Sequence, residues 1–181
     1  MQIRLFAALS LPDALADRLL ALRCNIPGAA WRPRENLHLT LAFYGEIDHA
    51  TARDLDHELA QIAMPAFEIS VGGVGYFGKS EPTALWAGVT PKSPELEILA
   101  QRCRRAARRV GLKPESRPYA PHVTLAYCKG THISEAASFQ QRFADFRSEP
   151  FWVEQFELYS SARTKAGSQY IAEAVYPLGA N

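Results

Sequence analysis

The chain has 181 residues, of which 48% are hydrophobic and 22% are charged. This is the composition of a globular protein and excludes a disordered chain. Twenty Lys and Arg against 19 Asp and Glu give a formal net charge of +1, which excludes binding to nucleic acid through bulk positive charge. A basic surface must therefore be local.

The cysteines and the N-terminal segment narrow the class of protein further. The three cysteines contain no C-x-x-C pair, so they predict neither a zinc cage nor a disulfide framework. The apolar run that ends at Leu9 is too short for a signal peptide, and no stretch is long enough to span a bilayer. We expect a cytoplasmic protein that does not bind membranes.

The hydrophobic pattern predicts strands and helices that alternate irregularly along the chain. Helix-start signals occur at Pro12, Asp48, Ser93 and Ser134. The first three helices are expected to end near Asn25, Pro65 and Gly111, and the fourth is expected to carry Ala137, Phe143 and Phe146. The expected strands are 3–10, 37–44, 67–71, 83–89, 122–128, 151–159 and 169–176. The hairpins in this pattern favour an antiparallel α+β architecture over a parallel βαβ array.

One hexapeptide occurs twice, as HLTLAF at 38–43 and as HVTLAY at 122–127. Both copies lie in predicted strands, where residues i and i+2 face the same way. Each copy therefore presents a His and a Thr side by side. A single copy would be typical of a strand histidine bonded to a neighbouring Thr, whereas two matched copies favour a functional site.

Paired imidazoles and hydroxyls suit acid-base chemistry on an anion. Since histidine titrates near neutral pH, one ring can accept a proton while the other donates one. The two threonine hydroxyls can bond the oxygens of an anion held between the rings. No Asp or Glu lies within either hexapeptide to help bind a metal. The pattern predicts opening of a phosphodiester without metal or other cofactor, with a bell-shaped pH dependence.

Further runs accompany the two motifs: RLFAA at 4–8, Trp31, LHLTL at 37–41, FYG at 43–45, LWAG at 85–88, RPYAPHVTL at 117–125, LYSS at 158–161 and Tyr170. Together they resemble the 2H phosphoesterase superfamily, in particular its RNA 2′,3′-cyclic phosphodiesterases, also called 2′-5′ RNA ligases (LigT/ThpR). The resemblance implies a bilobal α+β fold of the LigT-like type, formed by residues 1–181 as a single domain. Two antiparallel sheets would face a central cleft, with one motif from each and helices on the outside.

The resemblance also implies roles for the motif residues. His38 matches the general acid that protonates the leaving 3′ oxygen, and His122 matches the general base that activates water. Thr40 and Thr124 would hold the phosphate oxygens, and the product would end in a 2′-phosphate. The expected partners are RNA ends or small cyclic nucleotides, and we expect a monomer. Some relatives also join RNA ends weakly through a 2′,5′ bond without ATP.

One departure from the family concerns the substrate-binding residues. Relatives often carry Arg shortly after the second motif, where this chain has Tyr127. Arg117 is predicted to supply part of that charge, with an exposed loop arginine as the equal alternative. Tyr119, between two prolines, is predicted to stack on a base. Tyr170 and Phe43 are further candidates for stacking, although a strand position favours the core for Phe43.

A second motif competes for the function. Residues 73–80, GVGYFGKS, satisfy the P-loop pattern in full. A P-loop needs a helix that begins at its Lys-Ser, and the following 81–91 stretch is too short and too rich in Gly and Pro for one. We interpret the segment as a hairpin connection. A P-loop NTPase remains an alternative function, as does a nucleotide-binding module of the same fold with little turnover.

Overall fold

The computed structural model describes residues 2–165 and 167–179. Within these residues the backbone forms ten strands, four α-helices and one 3₁₀ turn. In chain order they are β1 Gln2–Ser10, α1 Asp13–Leu20, β2 Ala29–Trp31, the 3₁₀ turn Arg34–Asn36, β3 His38–Asp48, α2 His49–Ala60, β4 Phe67–Ile69, β5 Val71–Phe77, β6 Ala84–Val89, α3 Pro94–Arg109, β7 His122–Cys128, α4 Ile133–Arg142, β8 Phe151–Val153, β9 Gln155–Thr164 and β10 Gly167–Pro177.

The described strands form two antiparallel sheets. The large sheet has eight strands in the order β10-β9-β1-β3-β7-β6-β5, with β2 paired to β7, and the small one pairs β4 with β8. The predicted antiparallel α+β class is therefore confirmed. The first motif begins β3 and the second begins β7, and these strands are neighbours in the large sheet. The two lobes are therefore halves of one hydrogen-bonded sheet rather than two separate sheets.

The two halves meet where β3 runs beside β7, and they pair at Leu39 and Val123. Both of these side chains are fully buried. Because the strands are antiparallel, the residues on either side of this pair are also opposite each other. His38 therefore lies opposite Thr124, and Thr40 lies opposite His122. All four motif residues then lie on the sheet face opposite the core.

Helices cover the core face of the large sheet. Helices α2 and α3 pack against β3, and α4 packs against β5. Two of the predicted helix starts are confirmed by their caps. The Asp48 carboxylate accepts hydrogen bonds from the backbone N–H groups of Ala50 (2.9 Å) and Thr51 (3.0 Å), and the Ser93 hydroxyl accepts one from Leu96 N–H at 3.1 Å.

The glycine-rich segment was expected to connect the strand 67–71 to its hairpin partner 83–89, and this is wrong, because residues up to Phe77 belong to strand β5. The hairpin partner of β6 is β5, whereas β4 pairs with β8. The glycines belong inside β5 because the chain passes close to large side chains: a Cβ on Gly75 would lie 2.4 Å from Cζ2 of Trp86. The segment continues into the turn before β6 and no helix follows Lys79 and Ser80, so the P-loop alternative is wrong.

The ends of two helices also differ from the prediction. Helix α1 ends at Leu20 because tighter turns follow it, in which Leu22 N–H donates to Leu19 O at 3.1 Å. Helix α4 is capped by the His132 side chain, which accepts from the N–H of the predicted cap, Ser134, at 3.2 Å, and it ends at Arg142. In the described residues no helix is long and apolar enough to cross a membrane.

Candidate functional site

The four motif residues line one cavity of about 490 Å³, here called the motif cleft. They are His38 and Thr40 from β3, and His122 and Thr124 from β7, and all four are partly exposed. Strand alternation gives each His its neighbouring Thr, as predicted. The register between β3 and β7 then brings the two pairs together, although the two histidines are 84 positions apart in the sequence.

The two histidines are held in the same way. Nδ1 of His38 lies 2.9 Å from the backbone oxygen of Asn36, and Nδ1 of His122 lies 2.7 Å from that of Ala120. A carbonyl oxygen only accepts, so each Nδ1 carries the hydrogen. This leaves each Nε2 free to accept a proton when the ring is neutral and to donate one when it is charged.

The threonine hydroxyls are free to bind a ligand. No hydrogen bond among the described residues uses the hydroxyl of Thr40 or Thr124. The backbone of Thr40 is engaged instead, since its oxygen accepts from the Tyr119 hydroxyl at 2.9 Å. The two hydroxyls can therefore donate to an anion that occupies the cleft.

His38 lies in an aromatic environment. Its ring centroid is 5.0 Å from that of Phe6 and 5.2 Å from that of Tyr170, which meets it edge-on. Burial, with smaller electrostatic contributions from Arg32 and from the neighbouring His122, lowers the pKa of His38 to about 4, although the bond to the Asn36 backbone opposes the shift. The ring is therefore neutral at pH 7 in the free protein, which the simple two-histidine scheme does not anticipate.

Arg32 supplies positive charge next to the second motif. Its Cζ lies 5.1 Å from the centre of the Tyr127 ring, and its Nη2 donates to the Tyr170 hydroxyl at 3.3 Å. Its backbone N–H donates to Leu125 O at 2.8 Å, which fixes the end of β2 beside β7. A guanidinium thus stacks on Tyr127, the last residue of the second hexapeptide.

A second cavity of about 530 Å³ adjoins the motif cleft and shares Thr40 and His122 with it. We call it the Tyr119 groove. It contains the predicted Tyr119 and Arg117. Arg104 covers the Tyr119 ring at 5.7 Å, while Arg117 forms an ion pair with Glu115. Burial raises the pKa of Tyr119.

The other two predicted substrate-binding residues lie in the motif cleft. Tyr170 contacts His38, as described above. Phe43 lines both cavities and is 56% exposed, so the expectation that it belongs to the core is wrong. The reason is that the pairing of β1 with β3 shifts register between Thr40 and Ala42. Strict alternation fails there, so Phe43 lines the cleft while Leu41 and Tyr44 are buried.

Other residues that line the cleft were not predicted as site residues, among them Arg32, Asn36, Phe6 and Phe77. The ring of Phe77 meets His122 edge-on, with centroids 4.8 Å apart. Asn36 donates through Nδ2 to Ser168 O at 3.0 Å and so joins the 3₁₀ turn to β10. Arg32 and Asn36 lie within six residues of the first motif and Phe77 within the P-loop-like segment, but no sequence pattern assigns them to the cleft.

The comparisons with known proteins agree with this geometry. The sequence pattern of the 2′-5′ RNA ligase superfamily matches residues 11–165. The RNA 2′,3′-cyclic phosphodiesterase of Escherichia coli (strain K12) is 30% identical over 170 residues, which cover 92% of each chain. The phosphodiesterase of the same name from Thermotoga maritima is 31% identical over 146 residues, which cover 79% of this chain and 76% of the relative.

A solved structure shows the same fold. Escherichia coli LigT complexed with 3′-AMP has a TM-score of 0.81 and 25% sequence identity, and the match covers 98% of this chain and 99% of that one. The similarity thus covers three quarters or more of each of these relatives. The chain belongs to the 2′-5′ RNA ligase superfamily.

Proposed function

We propose that this protein is an RNA 2′,3′-cyclic phosphodiesterase, which hydrolyses cyclic phosphate ends to 2′-phosphates without a metal ion. The observation that carries the proposal is the meeting of both His-Thr pairs in the motif cleft. The names of the relatives, RNA 2′,3′-cyclic phosphodiesterase, support the same activity. We further propose that the chain acts as one bilobal domain, which the continuous eight-stranded sheet supports.

The proposed reaction needs one proton acceptor and one proton donor. His122 accepts a proton from water through Nε2 as the water oxygen bonds to phosphorus. The bond from phosphorus to the 3′ oxygen breaks, and His38 gives its Nε2 proton to that oxygen. The products are a 3′-hydroxyl and a 2′-phosphate. The hydroxyls of Thr40 and Thr124, together with Arg32, bind the phosphate oxygens as charge develops on them.

The acid role of His38 requires a proton that the free protein does not hold at pH 7. Its pKa of about 4 reflects mainly burial in the aromatic environment. A phosphate anion beside the ring favours the imidazolium, and so raises this pKa once the substrate is bound. Substrate binding therefore charges the acid in this scheme.

The direct test uses a short oligoribonucleotide ending in a 2′,3′-cyclic phosphate, with excess EDTA and phosphorus NMR of the product. We expect hydrolysis to a 2′-phosphate. Binding without turnover would support a nucleotide-binding module instead, and a 3′-phosphate product would contradict the assignment of the leaving oxygen.

Variants of single histidines test the assignment of residues. His122→Ala and His38→Ala should each lower kcat by about 10²–10⁴-fold. The matched control is His57→Ala, because His57 is exposed on α2 and should leave kcat unchanged. Full turnover in either cleft variant would remove that residue from the mechanism.

A further inference from the structure

The motif cleft extends beyond the four motif residues along β1, β9 and β10. Three arginines line the cleft: Arg4, Arg32 and Arg163. Among the described residues, no Asp or Glu lines it. None of these arginines takes part in an ion pair within the described part of the chain. This is more positive charge than the single scissile phosphate requires.

Strand registers show how this charge is laid out. Phe6 and Tyr159 are paired across β1 and β9, and their rings stack at 5.4 Å close to His38. One row outward, the same register sets Arg4 opposite Ser161. Residues on one face of a strand are about 7 Å apart, so this row lies about 7 Å beyond the aromatic rings.

A further row continues on β9 and β10. Arg163 is paired with Ser168 there, and Ser161 is paired with Tyr170, which contacts His38. Arg163 and Ser168 therefore occupy the next row on the same face as Tyr170, and both line the cleft. A line of guanidinium and hydroxyl groups leads outward from His38.

A buried polar residue, Asn36, also lines this part of the cleft. Asn36 is 5% exposed and lines the cleft, and its Oδ1 has no hydrogen-bond partner among the described residues. Buried polar groups rarely remain unpaired. Asn36 also donates through Nδ2 to Ser168 O, and so holds the strand that carries this end of the cleft.

One carboxylate, that of Glu46, belongs to a residue paired directly with one of these arginines. It is the β3 partner of Arg4. No ion pair joins the two, and Glu46 does not line the cleft. The guanidinium of Arg4 is therefore available to an anion from the cleft side.

We propose that Arg4 and Arg163, with the hydroxyls of Ser161 and Ser168, form a second anion subsite for the phosphate on the 5′ side of the terminal nucleotide. This rests on the proposed function, since it takes the cyclic phosphate to lie at the motif residues. The preferred substrate is then an RNA end, or a cyclic nucleotide that carries a 5′-phosphate, rather than a cyclic nucleotide with one phosphate.

The test compares adenosine 2′,3′-cyclic phosphate with its 5′-phosphorylated form. For the unmodified protein, kcat/KM should be about tenfold or more higher for the 5′-phosphorylated substrate. In the double variant Arg4→Gln/Arg163→Gln this ratio should fall toward one. Arg53→Gln, which removes the same charge from the exposed face of α2, is the matched control and should keep the ratio.

A ratio near one in the unmodified protein, or a ratio that survives the double variant, would overturn the subsite. Absence of turnover with both substrates would instead overturn the proposed function. Calorimetric titration with adenosine 2′-phosphate and adenosine 2′,5′-bisphosphate tests the subsite in that case as well. The bisphosphate should bind more tightly to the unmodified protein, and the double variant should lose that preference. Equal affinities in the unmodified protein would contradict the subsite.

Discussion

At the scale of single residues, the environment of His38 and the position of Arg32 distinguish the two halves of the cleft. Both histidines carry the same Nδ1 contact to a backbone oxygen two residues earlier. His38 lies among Phe6 and Tyr170, with Arg32 close by, and its pKa is lowered to about 4. Two motif copies that are equivalent in sequence are therefore placed in different electrostatic surroundings.

Arg32→Gln should change both substrate binding and the titration of His38. The loss of a charged hydrogen-bond donor to the phosphate should lower kcat/KM by about 10- to 100-fold. The pKa of His38 should rise, because the positive charge of Arg32 contributes to lowering it. NMR titration of the His38 ring measures this second effect, which a purely structural role of Arg32 would not produce.

A second substitution makes the Arg32 test specific. Because the guanidinium of Arg32 stacks on Tyr127, an arginine at 127 can carry charge into the same part of the cleft. The variant Arg32→Gln/Tyr127→Arg should therefore recover part of kcat/KM, whereas Arg32→Gln/Tyr127→Phe should not. Equal activity in the two double variants would contradict the role assigned to Arg32.

At the scale of elements, the β5–β6 hairpin shows how close packing supports the cleft. Gly75 on β5 lies against the Trp86 ring on β6, with no room for a side chain. The end of β5 carries Phe77, which contacts His122. A displacement of β5 is therefore expected to move the ring that packs against a motif histidine.

Gly75→Ala should destabilise the protein by about 1–3 kcal/mol, because the added methyl group forces Trp86 or the backbone to move. Gly130→Ala is the comparison variant: Gly130 has φ of +69° and open space around it, so it reports only the cost of left-handed backbone, about 1 kcal/mol. Urea unfolding of both variants measures the difference. A smaller loss at Gly75 than at Gly130 would contradict the packing argument.

At the scale of the whole molecule, folding places a neutral imidazole beside the junction of the two half-sheets. The unfolded chain gives His38 its ordinary pKa of 6.5, while the folded chain lowers it to about 4. As the pH falls through this interval, the unfolded state takes up the proton first. Stability from this group is therefore full above pH 6.5 and is lost as the pH falls toward 4.

The free energy of unfolding should accordingly decrease by about 3 kcal/mol through His38 between pH 6.5 and 4. Other groups titrate in the same interval, so the measurement is the difference between the unmodified protein and His38→Gln in urea unfolding across these pH values. The difference should depend on pH with this sign. A pH-independent difference would show that folding leaves the pKa of His38 unchanged, and would contradict this prediction.

The local signals in the sequence predicted the helix caps at Asp48 and Ser93 and the pairing of His and Thr on one face of a strand. These features depend on residues within a few positions of each other. The pairing of β5 with β6 was missed because a run of glycines in a strand resembles a loop until the neighbouring Trp86 is known. The cap of α4 was assigned two residues too late, since a histidine side chain rarely signals a helix start.

By itself, then, the sequence determined the duplicated His-x-Thr pattern, the acid-base chemistry that it favours and the antiparallel α+β class, because each of these follows from spacing along the chain. The tertiary structure decided that the motifs meet through the Leu39–Val123 pair. It also decided that Arg32 lies over Tyr127 and that burial lowers the pKa of His38. These features depend on which distant strands pair and on which groups folding removes from water.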